Sequence, residues 1–183
     1  MVPLKEARGN YSPINHKISN WGYRIMSKEP KIVVMGSENV GKTTIMEKLI
    51  GNIGKVEYNG TTVAIDYGNI ILNNRKIHLF GTPGQPRFEF MREITLNGAY
   101  FVLLIVDATT GLKDIDKKII NTIHLRNIPY AVFINKIDSC NDEILNNLKK
   151  EINELCPNCE HIMKGSALND KGISKLKLIL ENI

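Results

Sequence analysis

The sequence lacks any apolar run that approaches the ~20 residues of a membrane-spanning helix. Its longest apolar run, residues 99–106, favours a buried strand instead. Residues 1–5 lack the apolar core of a signal peptide, Val2 excludes N-myristoylation, and the ending at Ile183 offers no prenylation box. From these absences we expect a cytoplasmic protein without an integral membrane segment.

Cysteine is also scarce, with three in 183 residues. Cys156 and Cys159 form a C-x-x-C pair followed by His161, and Cys140 stands apart. Such a pair suits a redox centre, a disulfide or half of a zinc site, which needs four ligands. A thioredoxin-like pair opens a helix after a strand, whereas this one follows a helical pattern and precedes a strand. We therefore favour a structural role over metal or redox chemistry.

Dense basic runs are missing as well. The net charge is +5, from 24 basic and 19 acidic residues scattered along the chain, and no basic–aromatic patch appears. An anionic partner such as nucleic acid or a membrane surface is one interpretation. We favour the other, a solvated surface with lysines used for phosphates, and expect no nucleic-acid partner.

The chain divides into an N-terminal extension, residues 1–30, and one domain, residues 31–183. In the extension, Ser12 and Pro13 resemble the cap and first position of a helix. Apolar residues then recur on one helical face: Ile14, Ile18, Trp21 and Ile25. This segment is predicted to dock on its own domain. Peripheral membrane contact through residues 12–26, or binding of a partner helix, are the alternatives.

Strand and helix patterns alternate regularly from residue 31 onward. Strands at 62–72 and 75–80 flank Asn73 and Asn74, a pair suited to a two-residue hairpin turn. Further strands are predicted at 31–36, 99–107, 130–135 and 161–165, and helices at 42–50, 113–127, 141–155 and 173–183. The order β-α-ββ-α-β-α-β-α-β-α, which includes a helix without assigned bounds between the strands at 75–80 and 99–107, indicates an α/β protein with a mostly parallel sheet.

Residues 36–43 fit the phosphate-binding pattern G-x-x-x-x-G-K-[ST] between a strand and a helix. Glycines let the loop curl so that its N–H groups surround a phosphate, and the following helix points its positive end at it. Lys42 is predicted to reach the β- and γ-phosphates, and the Thr43 hydroxyl to bind Mg²⁺. The predicted phosphate-binding residues are Gly36, Ser37, Glu38, Asn39, Val40, Gly41, Lys42, Thr43, Thr44 and Gly84.

A second motif, Asn135-Lys136-Ile137-Asp138, follows the strand at 130–135. A carboxylate at Asp138 can accept from the paired N1–H and N2–H donors of guanine, which adenine lacks. Ser166 and Ala167 follow the next strand and could place a backbone N–H on the guanine carbonyl. The predicted guanine-binding residues are Asn135, Lys136, Asp138, Ser166, Ala167 and Leu168.

With these motifs in order, residues 31–183 resemble a Ras-superfamily small GTPase. Gly-Lys-Thr-Thr at 41–44, with Glu38, is similar to the Arf branch. Residues 61–68 and 80–85 resemble prokaryotic small GTPases related to the β subunit of the signal recognition particle receptor. The resemblance implies a P-loop NTPase fold: a six-stranded, mostly parallel sheet, one antiparallel edge strand, and helices on both faces.

The resemblance also implies two nucleotide-sensing switches. Thr62, with Thr61 as the neighbouring candidate, would bind Mg²⁺ and touch the γ-phosphate; an ordinary strand-start threonine is the alternative. In Gly81-Thr82-Pro83-Gly84-Gln85, Gly84 would sense the γ-phosphate and Gln85 would orient the attacking water. The family's aspartate, which holds the Mg²⁺ shell, is replaced here by Gly81. No other carboxylate can be assigned to that role from the sequence.

These features predict a GTP-dependent switch that hydrolyses GTP slowly and with help from a partner, using Gln85, Lys42 and Thr62 as catalytic residues and Mg²⁺ held by Thr43 and Thr62. Partners would bind through residues 55–68 and 81–95. Arg87 and Arg92 are interpreted as surface residues. The alternatives are a GTP-loaded interaction subunit with little hydrolysis and an ATP-using P-loop kinase, which the guanine motif disfavours.

Overall fold

A computed structural model describes residues 29–58 and 61–183, so the helix predicted within residues 12–26 lies outside the described residues. In this part of the chain the strands are β1 Lys31–Met35, β2 Gly54–Tyr58, β3 Thr61–Leu72, β4 Arg75–Gly81, β5 Phe101–Asp107, β6 Tyr130–Asn135 and β7 His161–Lys164. The α-helices are α1 Lys42–Ile50, α2 Glu89–Thr95, α3 Asp114–Leu125, α4 Asp142–Leu155 and α5 Ile173–Glu181.

The strands form one sheet in the order β2-β3-β4-β1-β5-β6-β7. The pairs from β4 to β7 are parallel, whereas β3 runs antiparallel to both β4 and β2. The predicted α/β fold with an antiparallel edge is therefore confirmed, but the sheet has seven strands and not six. The added strand is β2, five residues long, in which the charged Lys55 and Glu57 alternate with Val56 and Tyr58. Short, charged strands of this kind are typical of sheet edges.

Helices cover both faces of the sheet, and each face has its own apolar core. One core packs β-strand residues such as Leu103 against α1 and α5, and the other packs residues such as Leu104 against α3 and α4. Successive side chains of a strand point to opposite faces. All residues of β5 and β6 are buried, which explains why these central strands read as continuous apolar runs.

The hairpin of β3 and β4 turns at Asn73 and Asn74, as predicted. Both residues have positive φ, 50° and 59°, which asparagine tolerates better than most residues. The two-residue turn pairs Leu72 with Arg75, and the same register continues to the far end of the hairpin. The turn thus fixes which residues of β3 and β4 face each other.

Candidate nucleotide-binding site

The phosphate-binding loop joins the end of β1 to the start of α1, at the carboxyl edge of the parallel strands. Gly41 precedes α1 with a φ of 97°. A Cβ at this position would lie 2.4 Å from Nδ2 of Asn135. Glycine is therefore required here both for the backbone conformation and for the close approach of the Asn135 amide.

Lys42 folds its side chain back over this loop. Its Nζ donates to the carbonyl oxygens of Gly36, at 3.0 Å, and Ser37, at 2.6 Å. Burial lowers the pKa of Lys42 to about 8, against the opposing attraction of Asp116 and Asp66. The ammonium thus lies within the loop, and a phosphate there would restore its preference for the charged form.

Asn135 connects this loop to two other parts of the site. Its side chain is buried; Nδ2 donates to the carbonyl of Val40 at 2.8 Å, and Oδ1 accepts from the N–H of Ala167 at 2.9 Å. The single amide therefore holds the phosphate loop, the end of β6 and the loop after β7 in one arrangement.

Lys136 and Asp138 follow on the same edge. Lys136 has a φ of 61°, and its Nζ donates to Asp107 Oδ2 at 2.6 Å and to the carbonyl of Asn39 at 2.7 Å. Asp138 is exposed, and a hydrogen bond from Ser166, helped by Ser139, lowers the pKa of its carboxyl group. The Asp138 carboxylate is thus charged and open to a ligand with paired donors.

Asp107 is a site residue that the sequence analysis missed. It ends β5 and is almost fully buried. Burial by itself would raise the pKa of Asp107, but hydrogen bonds from Lys136 and Thr109 lower it below its ordinary value. Its place at the carboxyl end of a central strand is a signal that could have identified it.

Asp116 is the second residue that the sequence analysis missed. It is fully buried in the first turn of α3; Oδ1 accepts from the N–H of Ser37 at 2.7 Å, and Oδ2 accepts from the N–H of Lys113 at 3.0 Å. One carboxylate thereby caps α3 and anchors the phosphate loop. An acidic residue near a helix start is common, so the sequence shows the cap but not the link to Ser37.

The segment at residues 81–87, which begins with the last residue of β4, is called the 81–87 loop and lies directly against the phosphate loop. A Cβ at Gly84 would lie 2.4 Å from the backbone nitrogen of Glu38 and 2.6 Å from the carbonyl oxygen of Ser37. Because both are main-chain atoms, no side chain fits at Gly84 without moving one loop. Gly84, the predicted γ-phosphate sensor, is therefore in contact with the phosphate loop.

Arg92 is not a surface residue, which corrects the interpretation made from the sequence. It is 5% exposed, and its guanidinium donates to the carbonyls of Pro83, at 3.1 Å, and Gln85, at 2.8 Å. Those carbonyls lie in a proline-containing loop outside helix and strand, and Arg92 donates to both, while the Gln85 carbonyl also accepts from the N–H of Phe88. Arg87 is exposed, as expected, with its guanidinium over the Phe88 ring.

The site also presents oxygen atoms suited to a hard cation. The Thr43 hydroxyl donates to Asp66 Oδ2 at 2.7 Å, and hydroxyl, carboxylate and phosphate oxygens are the donors that Mg²⁺ prefers. Within residues 29–58 and 61–183, no group of three or more metal-ligating side chains occurs. Thr62 pairs with Glu57 in the backbone of the sheet, and its side chain lies outside the described part of the structure.

Ser37 and the cysteines are the remaining polar groups of interest. In the described part of the chain, the Ser37 hydroxyl is the one buried side-chain oxygen or nitrogen without a hydrogen-bond partner, and it belongs to the phosphate loop.

The three cysteines are unpaired. Burial raises the pKa of Cys156, and it raises that of Cys159 to about 11, so both stay protonated thiols.

A family model described as 50S ribosome-binding GTPase matches residues 31–136, which include the phosphate-binding motif and the start of the guanine motif. This chain belongs to that GTPase family. An uncharacterized protein of Methanocaldococcus jannaschii is 48% identical to this chain over 148 residues, 81% of the chain and 92% of the relative. The described residues of the chain include no helix long and apolar enough to cross a membrane.

Translation initiation factor IF-2 of Mycoplasmopsis pulmonis is 35% identical over 164 residues, which are 86% of this chain but 26% of the factor. The crystal structure of a variant of Aquifex aeolicus Era bound to GDP and AlF₄⁻ superposes with a TM-score of 0.69 and 25% identity, over 85% of this chain and 57% of Era. Bacterial selenocysteine-specific elongation factor EF-Sec has a TM-score of 0.73 at 21% identity, over 84% of this chain and 29% of its own, and shows the shared fold.

Replacing Asp116 tests whether its carboxylate stabilises the fold by joining α3 to the phosphate loop. Asp116→Ala removes both acceptors and leaves the Ser37 N–H unsatisfied, so we expect the free energy of unfolding to fall by about 2–4 kcal/mol. Asp116→Asn keeps one acceptor oxygen and should lose about half as much. Urea unfolding followed by circular dichroism measures both. The exposed Asp114 gives the control, and a loss for Asp116→Ala no larger than for Asp114→Ala would contradict the assignment.

The pKa of Lys42 gives a pH-dependent prediction. At pH 8 the ammonium is about half protonated, and a bound phosphate raises its pKa, so GDP binding should take up about half a proton. At pH 6 Lys42 is already charged and takes up no proton, so the uptake should vanish or turn into release, because the terminal phosphate of GDP ionises with a pKa of about 6. Isothermal titration calorimetry in two buffers of different ionisation enthalpy measures this difference. Lys48→Met should leave the uptake unchanged, and equal binding heats in both buffers at pH 8 would show the prediction to be wrong.

Proposed function

We propose that this chain binds GTP and GDP with Mg²⁺ and acts as a nucleotide-dependent switch that hydrolyses GTP slowly and with a partner's help. The observation that carries the proposal is the Asn135 bridge between Val40 and Ala167. It brings the predicted phosphate-binding and base-binding loops to one edge of the sheet. A GTPase family member with both loops in this arrangement is equipped for a guanine nucleotide.

Guanine selection is assigned to Asp138. Its exposed carboxylate accepts hydrogen bonds and cannot donate them, which suits the paired N–H groups of guanine and leaves adenine without a match. Lys136 is held by Asp107 and Asn39 beside it. The remaining guanine-binding assignments are Asn135, Ser166, Ala167 and Leu168.

The phosphate assignments are those of the loop at residues 36–44 together with Gly84. In the proposed reaction, water attacks the γ-phosphorus in line, the bond to the β–γ bridging oxygen breaks, and GDP and phosphate leave. Gln85 orients the water, Lys42 offsets the charge on the phosphates, and Thr62 closes over the γ-phosphate. Mg²⁺, held by Thr43 and Thr62, would offset further charge on the phosphates.

Dependence on a partner follows from how the nearby arginine is used. Arg92 already binds two carbonyls of the 81–87 loop, so it does not reach over a transition state without releasing them. An arginine supplied in trans adds about 10³- to 10⁵-fold in rate in related systems. Slow hydrolysis by the isolated chain is therefore proposed.

The partner surface is assigned to residues 55–68 and 81–95. On α2, Phe90 and Ile94 are 60% and 62% exposed, about one helical turn apart and beside the loop that Arg92 holds. An apolar patch that follows the position of this loop can report the nucleotide state to a protein. Kinship with the Arf branch remains a resemblance carried by residues 41–44.

Translation is one cellular process in which this switch could act, because initiation factors are among the relatives. This chain spans 26% of such a factor, so the factor's other contacts need not apply. An Era structure is complexed with nucleotides 1506–1542 of 16S ribosomal RNA. The absence of a nucleic-acid partner, membrane contact through residues 12–26 and a cytoplasmic location therefore stay predictions.

Replacing Asp138 tests the base assignment. Asp138→Asn replaces one of the two carboxylate acceptors by an N–H donor, so we expect GTP affinity to fall about 100-fold and xanthosine triphosphate, which presents a complementary carbonyl, to bind better. Fluorescence competition against a labelled nucleotide measures both affinities. Asp142→Asn, an exposed change nearby, should alter neither affinity. Unchanged GTP binding by Asp138→Asn would contradict guanine selection by this residue.

The second candidate function is a GTP-loaded interaction subunit with little hydrolysis, which Gly81 favours because the usual carboxylate is missing there. Gln85→Ala distinguishes the two. Arg92 contacts the main chain of Gln85, so the loop should keep its position while the single-turnover rate falls at least about 10-fold. Arg87→Ala serves as the exposed control. A Gln85→Ala rate equal to that of the unchanged chain supports the second candidate.

A further inference from the structure

Gly81 ends β4 at the position where the family carries its aspartate, and it faces Asp66 of β3 across the hairpin. A Cβ on Gly81 would lie 3.1 Å from Cβ of Asp66 and 3.5 Å from its Oδ2. The side chain of Asp66 therefore occupies the space beside the missing one. A carboxylate is present at this point of the site, but it comes from the neighbouring strand.

The contacts of Asp66 lead out of the hairpin and into the phosphate-binding region. Asp66 is 7% exposed, and its Oδ2 accepts from the hydroxyl of Thr43, the predicted Mg²⁺ ligand at the start of α1. Asp66 also attracts the Lys42 ammonium electrostatically. A buried carboxylate that accepts from this hydroxyl stands where it can support a cation bound to the same oxygen.

We propose that Asp66 supplies the carboxylate of the magnesium shell in this protein, taking over from the position of Gly81. The inference rests on the proposed nucleotide-binding function. Oxygen donors from Thr43 and Asp66 suit Mg²⁺, which binds to one or two protein groups and completes its shell with phosphate oxygens and water. In this proposal the carboxylate stands on β3, opposite Gly81 of β4, and not at position 81 itself.

A competing explanation is that Asp66 only fastens the sheet edge. The Nζ of Lys55 in β2 forms an ion pair with Asp66 Oδ1. The Lys55 side chain is 52% exposed, and ion pairs with exposed partners contribute little to stability. The contact with Thr43 also uses the other carboxylate oxygen and joins a different element. The two roles therefore separate by mutation, because Lys55→Met removes the ion pair and leaves the carboxylate.

The experiment measures the dissociation rate of N-methylanthraniloyl-GDP from the full chain as Mg²⁺ is titrated against EDTA. Dissociation from the unchanged chain should be slowed by Mg²⁺. In Asp66→Asn we expect the Mg²⁺ concentration for half-maximal slowing to rise about 10- to 100-fold, as for loss of a group that supports a metal ligand. The assay contains no partner protein, so Lys55→Met, although it lies in the proposed partner surface, should keep the Mg²⁺ dependence of the unchanged chain.

A transposed variant, Asp66→Gly with Gly81→Asp, returns the carboxylate to β4. A Cβ at position 81 would meet Sδ of Met46 at 2.6 Å, which is the flexible part of that side chain and can shift. The Asp66→Gly change removes the other close Cβ. We expect this variant to recover most of the Mg²⁺ dependence that Asp66→Asn loses. Recovery is not expected if Asp66 only fastens β2.

The outcomes separate the proposed function from the inference. If the unchanged chain does not bind the labelled GDP, the proposed function fails and the inference fails with it. If it binds and Mg²⁺ slows its release, but Asp66→Asn behaves identically, only the inference is overturned. Loss of Mg²⁺ dependence in Lys55→Met would also overturn it. Thermal unfolding is measured first; if Asp66→Asn does not fold, the transposed variant decides, because its failure to respond to Mg²⁺ would overturn the inference.

Discussion

The site depends on one buried amide, the side chain of Asn135. It donates to the phosphate loop and accepts from the loop after β7, so it uses a donor and an acceptor in opposite directions. Loss of either contact would lower the free energy of unfolding, because a buried amide group without a hydrogen-bond partner costs about 1–3 kcal/mol. The relative position of the two loops is therefore set by a single side chain, and Gly41 leaves room for it.

Around this bridge, the phosphate loop is held from several sides by charge. Asp116 binds the N–H of Ser37 from α3, while Lys42 turns inward onto the carbonyl of the same residue. Arg92 holds the neighbouring loop, residues 81–87, against it. A nucleotide thus meets backbone groups that are already oriented, which reduces the conformational entropy lost on binding.

Local sequence patterns were sufficient to predict the main strands and helices of the fold. The contacts between residues far apart in the sequence could not be predicted from such patterns. The apolar runs of β5 and β6 and the Asn73–Asn74 turn depend on neighbouring residues, and both were identified from sequence. The edge strand β2 was missed, because its alternating pattern covers only residues 55–58 and its pairing with β3 is what defines it as a strand. Likewise, Asp116 contacts Ser37 across 79 positions of sequence. The role of Arg92 could not be predicted either, because it depends on the Pro83 and Gln85 carbonyls that only the folded chain brings near its guanidinium.

The short turn at Asn73 and Asn74 has a consequence well beyond the hairpin tip. It sets the register that, at the opposite end of the two strands, places Asp66 opposite Gly81. Side chains alternate between the two faces of a strand, so a slip of one residue would carry the Asp66 carboxylate away from Thr43 to the other face. A surface loop of this kind would ordinarily accept insertions freely. Here the length of the turn is constrained, because an inserted residue would change the register that places Asp66 beside Thr43 at the far end of the hairpin.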